Sequence, residues 1–178
     1  MTLEGRLKDK SAVVGIVGLG YVGLPLAVAF AKAGFGVTGF DMQSERVHQI
    51  NRGKSYIIDV DSKSLSTLVK NGQLYATSSY DDIKEADAIL ICVPTPLTKT
   101  KEPDLSYVVS VAENLSKILK AEQLVVLEST TYPGTTRELL QPILEHGGLK
   151  AGRDFYLAFS PERIDPGSKK YDITNCNQ

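Results

Sequence analysis

The residues best suited to chemistry in this sequence fall in four short stretches, each preceded by an apolar run. Gly18-Leu19-Gly20-Tyr21-Val22-Gly23 follows the run from Ala12 to Val17, and a lone acid, Asp41, closes the next run. Val93-Pro94-Thr95-Pro96-Leu97 is the second stretch, and Glu128-Ser129-Thr130-Thr131-Tyr132-Pro133-Gly134-Thr135-Thr136 the third. The fourth is Ser160-Pro161-Glu162-Arg163-Ile164-Asp165-Pro166-Gly167. The first stretch suits a backbone that must approach a diphosphate. Gly18 turns the chain sharply, Gly20 lacks the Cβ that would hold a pyrophosphate away, and Gly23 lets a helix lie close on a sheet. Phosphate oxygens then meet open helix N–H groups and the positive end of the helix dipole.

Asp41 lies 18 residues beyond Gly23, near the spacing of about 20 expected for a carboxylate that binds the adenosine ribose hydroxyls. It would repel a 2′-phosphate, so the expected cofactor is NAD rather than NADP. Arg46, five residues on, either softens that preference or is a solvated helix arginine. In the second stretch two prolines stiffen a loop that exposes backbone groups and the Thr95 hydroxyl. The third is dense in hydroxyls and opens a helix, as an anion or alcohol site does. The fourth brings a carboxylate and a guanidinium together. Ordinary turn chemistry explains any one of these loops, since Pro, Gly, Ser, Thr and Asp dominate turns; three at one rim favour a site. The expected cofactor residues are Gly18, Gly20, Tyr21, Val22, Gly23, Asp41, Arg46, Val93, Pro94, Thr95, Ser129, Thr130 and Thr131.

The elements that must position these stretches alternate along the chain. A helix is predicted over residues 21 to about 33, nearly all apolar, with Pro25 in its first turn and Gly34 at its end. Ser44 caps a helix over 45 to about 52, and Gly53 stops it. A helix over 62–70, a strand over 74–77, a short helix over 80–86 and a buried strand over 88–93 follow. The helix over 105 to about 119 is capped by Asp104 and carries Leu105, Val108, Val109, Ala112, Leu115 and Leu119 on one face. Strands over 124–127 and 155–159 flank a helix over 135 to about 145. The pattern predicts a single α/β domain, a Rossmann-like doubly wound parallel sheet with helices on both faces, over residues 12–172. A polar segment, 1–11, precedes it and a tail, 173–178, follows. In such sheets ligands bind beyond the carboxyl ends of the strands, where all four stretches fall.

Composition agrees with a soluble domain. The 178 residues are 42% hydrophobic and carry a net charge of −1, which suggests neither nucleic acid nor an anionic membrane as partner. No apolar run approaches the ~20 residues of a membrane span, and residues 1–11 lack a signal peptide's apolar core. Cytoplasmic location is therefore expected. Two cysteines, Cys92 in an apolar strand and Cys176 near the end, have no spacing suited to a metal or a disulfide framework.

Five ordered motifs carry a more specific likeness: Gly20 to Ala27 (Gly-Tyr-Val-Gly-Leu-Pro-Leu-Ala), Cys92 to Pro96 (Cys-Val-Pro-Thr-Pro), Pro103 to Leu105, Glu128 to Thr136 and Phe159 to Gly167. Together they resemble the NAD-binding N-terminal domain of the UDP-glucose/GDP-mannose dehydrogenase family. Pro25 and the Pro-Glu-Arg-Ile-Asp-Pro-Gly loop resemble the UDP-N-acetylglucosamine (UDP-N-acetylhexosamine) 6-dehydrogenase branch, which makes uronic acids for surface polysaccharides. The resemblance implies a four-electron oxidation of a UDP-sugar's C6 alcohol to a carboxylate with two NAD in turn. The aldehyde is trapped on a cysteine as a thiohemiacetal, whose hydride goes to the second NAD, and the thioester so formed is hydrolysed. It implies that Thr131 helps to hold a catalytic water and that Glu162 is the general base of hydrolysis; helix capping or loop bracing is the alternative for both. Arg163 either reaches a phosphate or forms a surface ion pair.

The family's central helix, nucleophilic cysteine and UDP-sugar-binding domain are not among these residues, and Cys176 does not match the nucleophile by position. The chain alone is thus expected to bind NAD without completing the oxidation, and a longer family member to be a homo-oligomer. A stand-alone NAD-binding module or sensor is the competing reading. A β-hydroxyacid dehydrogenase shares the glycine motif but leaves the Glu128 and Glu162 loops unexplained.

Overall fold

The computed structural model describes residues 2–99 and 101–161; Glu162, Arg163 and Cys176 lie outside the described residues. Six strands form one sheet: β1 Val13–Val17, β2 Gly36–Phe40, β3 Leu74–Thr77, β4 Ala88–Ile91, β5 Leu124–Leu127 and β6 Tyr156–Phe159. All neighbours are parallel, in the order β3-β2-β1-β4-β5-β6. The chain moves outward from β1 in one direction and then restarts at β4 on its other side. Connections on the two sides therefore leave toward opposite faces, and a crevice opens where β1 and β4 end together, Val17 beside Ile91. β4 is buried along its whole length, the reason its sequence reads as an unbroken apolar run.

Helices cover both faces. On one lie α2 Gly23–Lys32, α3 Ser44–Asn51 and α4 Ser62–Lys70, which bury Leu24, Ala27, Ile50 and Leu65 against Val14 and Ile16 of β1. On the other, α6 Ser106–Ser116 and α7 Gln141–Glu145 pack Val108, Leu115 and Leu144 against Val17 and Ile89. The alternation along β1 sends successive side chains to the two cores. Two short helices complete the set: α5 Tyr80–Ile83 after β3, and α1 Leu3–Lys8 within the polar segment 1–11. That segment is tied to the sheet by buried Leu3 and by Arg6, which pairs with Asp87.

Where element ends depart from the sequence expectation, a local interaction explains the shift. The glycine turn runs on through Tyr21 and Val22, so α2 begins at Gly23. Ser44 is the first residue inside α3 and caps nothing; the Gln43 N–H donates to Asp41 Oδ1 at 2.9 Å and starts the helix. Asp104 does accept the Ser106 N–H at 2.9 Å, but α6 begins at Ser106. The buried stripe of α6 runs through Val108, Val111, Ala112 and Leu115, with Val111 in place of Val109, an i, i+3, i+4, i+7 pattern. Residues 135–145 begin as a π-helical segment, Thr135–Leu140, entered through Gly134 at φ 96°, before α7.

Glu145 at the end of α7 anchors the turn to β6. It accepts from Lys150 Nζ at 2.9 Å, Gln141 Nε2 at 2.8 Å and the Ala151 N–H at 3.2 Å. The Lys150 and Gln141 bonds hold its carboxyl down at about 2, against an ordinary 4.5. A carboxyl lowered by folding stabilises fully above its unfolded value and loses that contribution as pH falls toward its folded value. Urea denaturation of wild type and Glu145→Gln is therefore expected to show a wild-type advantage at about pH 6 that shrinks by about pH 3. A pH-independent difference would contradict this.

Candidate functional site

The site begins with three glycines that are required for three different reasons. Gly18 sits at φ 95°, and a Cβ there would come 2.7 Å from the Cys92 carbonyl oxygen, while its N–H donates to the Phe40 carbonyl at 2.8 Å. Gly23 lies against the Gly18 carbonyl, so any side chain would push α2 off the turn. Around Gly20 a Cβ would meet nothing within 4 Å. Backbone conformation fixes the first, packing the second, and open space marks the third as the face that looks outward.

That face opens on a cavity of about 680 Å³ at the carboxyl ends of β1 and β4, within the size range of small-molecule sites. Gly18, Gly20, Tyr21 and Val22 line it from the turn, Asp41 and Arg46 from the end of β2 and from α3, and Val93 and Pro94 from the loop after β4. Gly23 stands behind, at the start of α2. The sequence reading missed the far wall, made by Phe40, Tyr80, Tyr107, Ser110 and Val111, with Met42 and Gln43 beside Asp41. Phe40 and Tyr80 stack with ring centroids 4.0 Å apart, and burial pushes the Tyr80 phenol up to about 12. Tyr107, Ser110 and Val111 recur at i, i+3, i+4 on α6, a signal present in the sequence; which way that stripe faced depended on how α6 packs.

Asp41 is 6% exposed, and its carboxylate holds the turn and the start of α3. Its Oδ2 accepts the Leu19 N–H at 3.0 Å and pairs with Arg46 Nη1 at 3.2 Å, while Oδ1 accepts from Gln43. A carboxylate offers about four acceptor positions, so one remains on Oδ1 for a hydroxyl in the cavity. Arg46 is thus an ion-pair partner rather than a solvated helix arginine, and its guanidinium lies 5.5 Å from the Tyr56 ring centroid. Burying the carboxylate is tolerated because every near group pairs with it.

The hydroxyl-rich loops divide between bracing and lining. Thr95 Oγ1 donates to the Thr130 carbonyl at 2.6 Å, and buried Ser129 donates to the Val93 carbonyl at 2.8 Å. These bonds lash the loops after β4 and β5 together; Thr95, Ser129 and Thr130 stand outside the lining of the first cavity. Thr131 lines a second cavity of about 840 Å³ with Tyr132, Arg137, Glu138, Tyr156 and Phe159. Ser160 Oγ donates to Glu128 Oε1 at 2.9 Å and ties in the loop that leads to Glu162. Cys92 is a buried thiol beneath the crevice. Among the described residues, no group of three His, Cys, Asp or Glu could hold a metal, and no helix is long and apolar enough to cross a membrane.

The NAD binding domain model of the UDP-glucose/GDP-mannose dehydrogenase family matches residues 12–178. A UDP-N-acetyl-D-glucosamine 6-dehydrogenase from Pseudomonas aeruginosa is 39% identical over 170 residues, 95% of this chain and 39% of the relative. Among solved structures, an NDP-N-acetyl-D-galactosaminuronic acid dehydrogenase from Methanosarcina mazei Go1 is 38% identical with a TM-score of 0.82, over 94% of this chain and 38% of its own. A UDP-D-ManNAc dehydrogenase from Pyrococcus horikoshii is 40% identical with a TM-score of 0.81, over 87% of this chain and 37% of its own. The chain spans about two-fifths of the length of the relatives it matches.

The three glycines give a discriminating experiment. Gly20→Val enters open space, so thermal unfolding is expected to match wild type while calorimetric NAD affinity falls by a hundredfold or more, on the order of a lost phosphate contact. Gly23→Ala is expected to lower stability by about 1–3 kcal/mol as well, because the added methyl meets backbone. NAD affinity retained in Gly20→Val would place the pyrophosphate elsewhere.

Proposed function

The chain belongs to the UDP-glucose/GDP-mannose dehydrogenase family as an NAD-binding domain, and from that premise we propose that it serves a nucleotide-sugar 6-dehydrogenase. The reaction is oxidation of the C6 alcohol of a UDP-hexose or UDP-N-acetylhexosamine to the uronate with two NAD, for surface polysaccharide synthesis. The observation that carries this reading is the cavity at the carboxyl ends of β1 and β4, together with a second cavity that runs along the edge strand β6. The glycine turn and Asp41, joined by the Leu19 hydrogen bond, share one wall of the first, and Thr131 lines the second. The relatives' names favour an N-acetylated sugar, since several act on UDP-N-acetylglucosamine or UDP-N-acetylmannosamine.

In the first cavity the residues fit a dinucleotide. Gly20 leaves room for a pyrophosphate at the amino end of α2, where the helix dipole favours negative charge. Asp41 offers its remaining acceptor position to ribose hydroxyls and repels a 2′-phosphate, with Arg46 limiting that repulsion. Tyr21, Val22, Val93 and Pro94 supply apolar walls for the rings. NAD bound there supplies the hydride acceptor. Thr95, Ser129 and Thr130 hold the rim on which both cavities depend. Thr131 positions a water with its hydroxyl, and Glu162 takes the proton from that water in the hydrolytic step. Tuning a glutamate toward neutral pH needs a cleft that disfavours its charge. On the same reading the protein works in the cytoplasm as a homo-oligomer.

Joining this chain to the remaining three-fifths of the Pseudomonas aeruginosa relative tests the proposal. The chimera is expected to release two NADH per UDP-N-acetylglucosamine, and Glu162→Gln to lower kcat by about a hundredfold or more, with NAD affinity unchanged. A chimera that binds NAD but keeps its full rate as Glu162→Gln would remove the assigned base. Calorimetry on the chain itself is expected to show tighter binding of NAD than of NADP, and a narrower gap in Asp41→Ala; equal affinities in wild type would refute the assignment to Asp41.

A further inference from the structure

Tyr56 lies in the connection between α3 and α4, outside the lining of the first cavity, yet it touches both features that define that cavity. Its hydroxyl donates to the Leu19 carbonyl at 2.5 Å. Leu19 is the middle residue of the first Gly-x-Gly, and its own N–H donates to Asp41 Oδ2. Side chains 22 and 37 residues distant in sequence therefore grip both sides of one residue in the turn. The Leu19 side chain is buried and packs over Gly39, where a Cβ would come within 2.7 Å of it.

The grip on the carbonyl has a directional consequence. A trans peptide is planar, with its N–H opposed to its C=O. Fixing the Leu19 carbonyl on Tyr56 fixes the Leu19–Gly20 peptide plane, and with it the direction of the Gly20 N–H, away from Tyr56. Gly20 is the residue whose open face borders the cavity. Burial pushes the Tyr56 phenol up, foremost, with the Asp41 charge second, so the hydroxyl stays protonated and remains a donor. The ring has a separate task. The Arg46 guanidinium lies 5.5 Å from its centroid and reaches Asp41 Oδ2 at 3.2 Å. A cation held over an aromatic face is less available to swing elsewhere.

We propose that Tyr56 is a positioning residue for the dinucleotide: its hydroxyl sets the glycine turn that receives the pyrophosphate, and its ring holds Arg46 on Asp41 and so sets the preference for NAD over NADP. This rests on the dinucleotide reading of the cavity, and it divides the two functions of one side chain between two substitutions. Tyr56→Phe removes the hydroxyl and keeps the ring. It is expected to raise the calorimetric Kd of NAD about tenfold, on the scale of one lost hydrogen bond to a constrained peptide, and that of NADP by the same factor. Tyr56→Leu removes both. It is expected to weaken NAD at least as much and to shift the NAD to NADP ratio toward NADP by about threefold or more, because Arg46 becomes able to meet a 2′-phosphate.

A brace of the fold alone would lower the melting temperature and leave that ratio untouched in both variants, which would overturn the role of the ring. NAD affinity within twofold of wild type in Tyr56→Phe would overturn the role of the hydroxyl. The 13C shift of the Leu19 carbonyl, followed by NMR without coenzyme, separates this inference from the one beneath it, because that carbonyl is the acceptor of the Tyr56 hydroxyl. An upfield shift in Tyr56→Phe supports the grip even if wild type binds no dinucleotide, an outcome that would sink the cofactor reading instead. An unchanged Leu19 carbonyl shift would overturn the grip.

Discussion

The contact between the Gly18 carbonyl and the Cα of Gly23 is the constraint on which the rest of this molecule depends. It lets the amino end of α2 lie directly on the turn that leaves β1. A side chain at Gly23 would lift the helix away, and the open N–H groups of its first turn would no longer face the crevice at the sheet's switch point. The neighbouring elements are arranged to preserve that approach. The Gly18 N–H is held by Phe40 at the end of β2, and the space a Cβ would occupy at Gly18 is taken by the Cys92 carbonyl just past β4. Three adjacent strands thus meet at one residue, the reason the cavity forms there and not elsewhere along the sheet.

Asp41 shows how one group can serve both fold and site. Its carboxylate starts α3 through Gln43, holds the turn through Leu19 and is balanced by Arg46. A buried charge with these partners is tolerated, and removing it would leave the Leu19 N–H and the arginine without their acceptor. The acid to which the proposal assigns discrimination between coenzymes is therefore also a structural member of the turn. Its substitution is expected to move affinity and stability together, whereas Tyr56→Phe separates the geometry of the turn from the charge beside it.

Much of this arrangement is legible in the sequence, for definite reasons. The unbroken apolar runs of β1, β4 and β5 and the period of α6 declare a doubly wound sheet, and Gly18, Gly20, Gly23 and Asp41 keep fixed spacings because they act within one βαβ unit. Family membership was legible too, because five ordered motifs have to coincide. What stayed hidden depended on packing between distant segments. Val111 rather than Val109 is buried because the face of α6 that meets the core runs through Val108, Val111, Ala112 and Leu115. Tyr107 and Ser110 line the cavity with Val111. Ser44 looks like a helix cap until the Asp41 carboxylate is seen to start α3. Nothing local marks Tyr56, whose partner Leu19 is 37 residues away.

The hydroxyls of the two loops after β4 and β5 make the same point about chemistry. By composition, Thr95, Ser129, Thr130 and Thr131 are equivalent candidates. In the fold, Thr95 and Ser129 donate to carbonyls of the opposite loop and the Thr130 carbonyl receives one of those bonds, so these residues tie the loops after β4 and β5 together. Thr131 lines the second cavity one residue beyond that brace. A hydroxyl that must orient a water gains from a rigid backbone beside it, since reacting groups lose rate steeply when displaced by an ångström. On the proposed reading the bracing residues and Thr131 form one device: the former hold the loop still so that the latter can act at a fixed place.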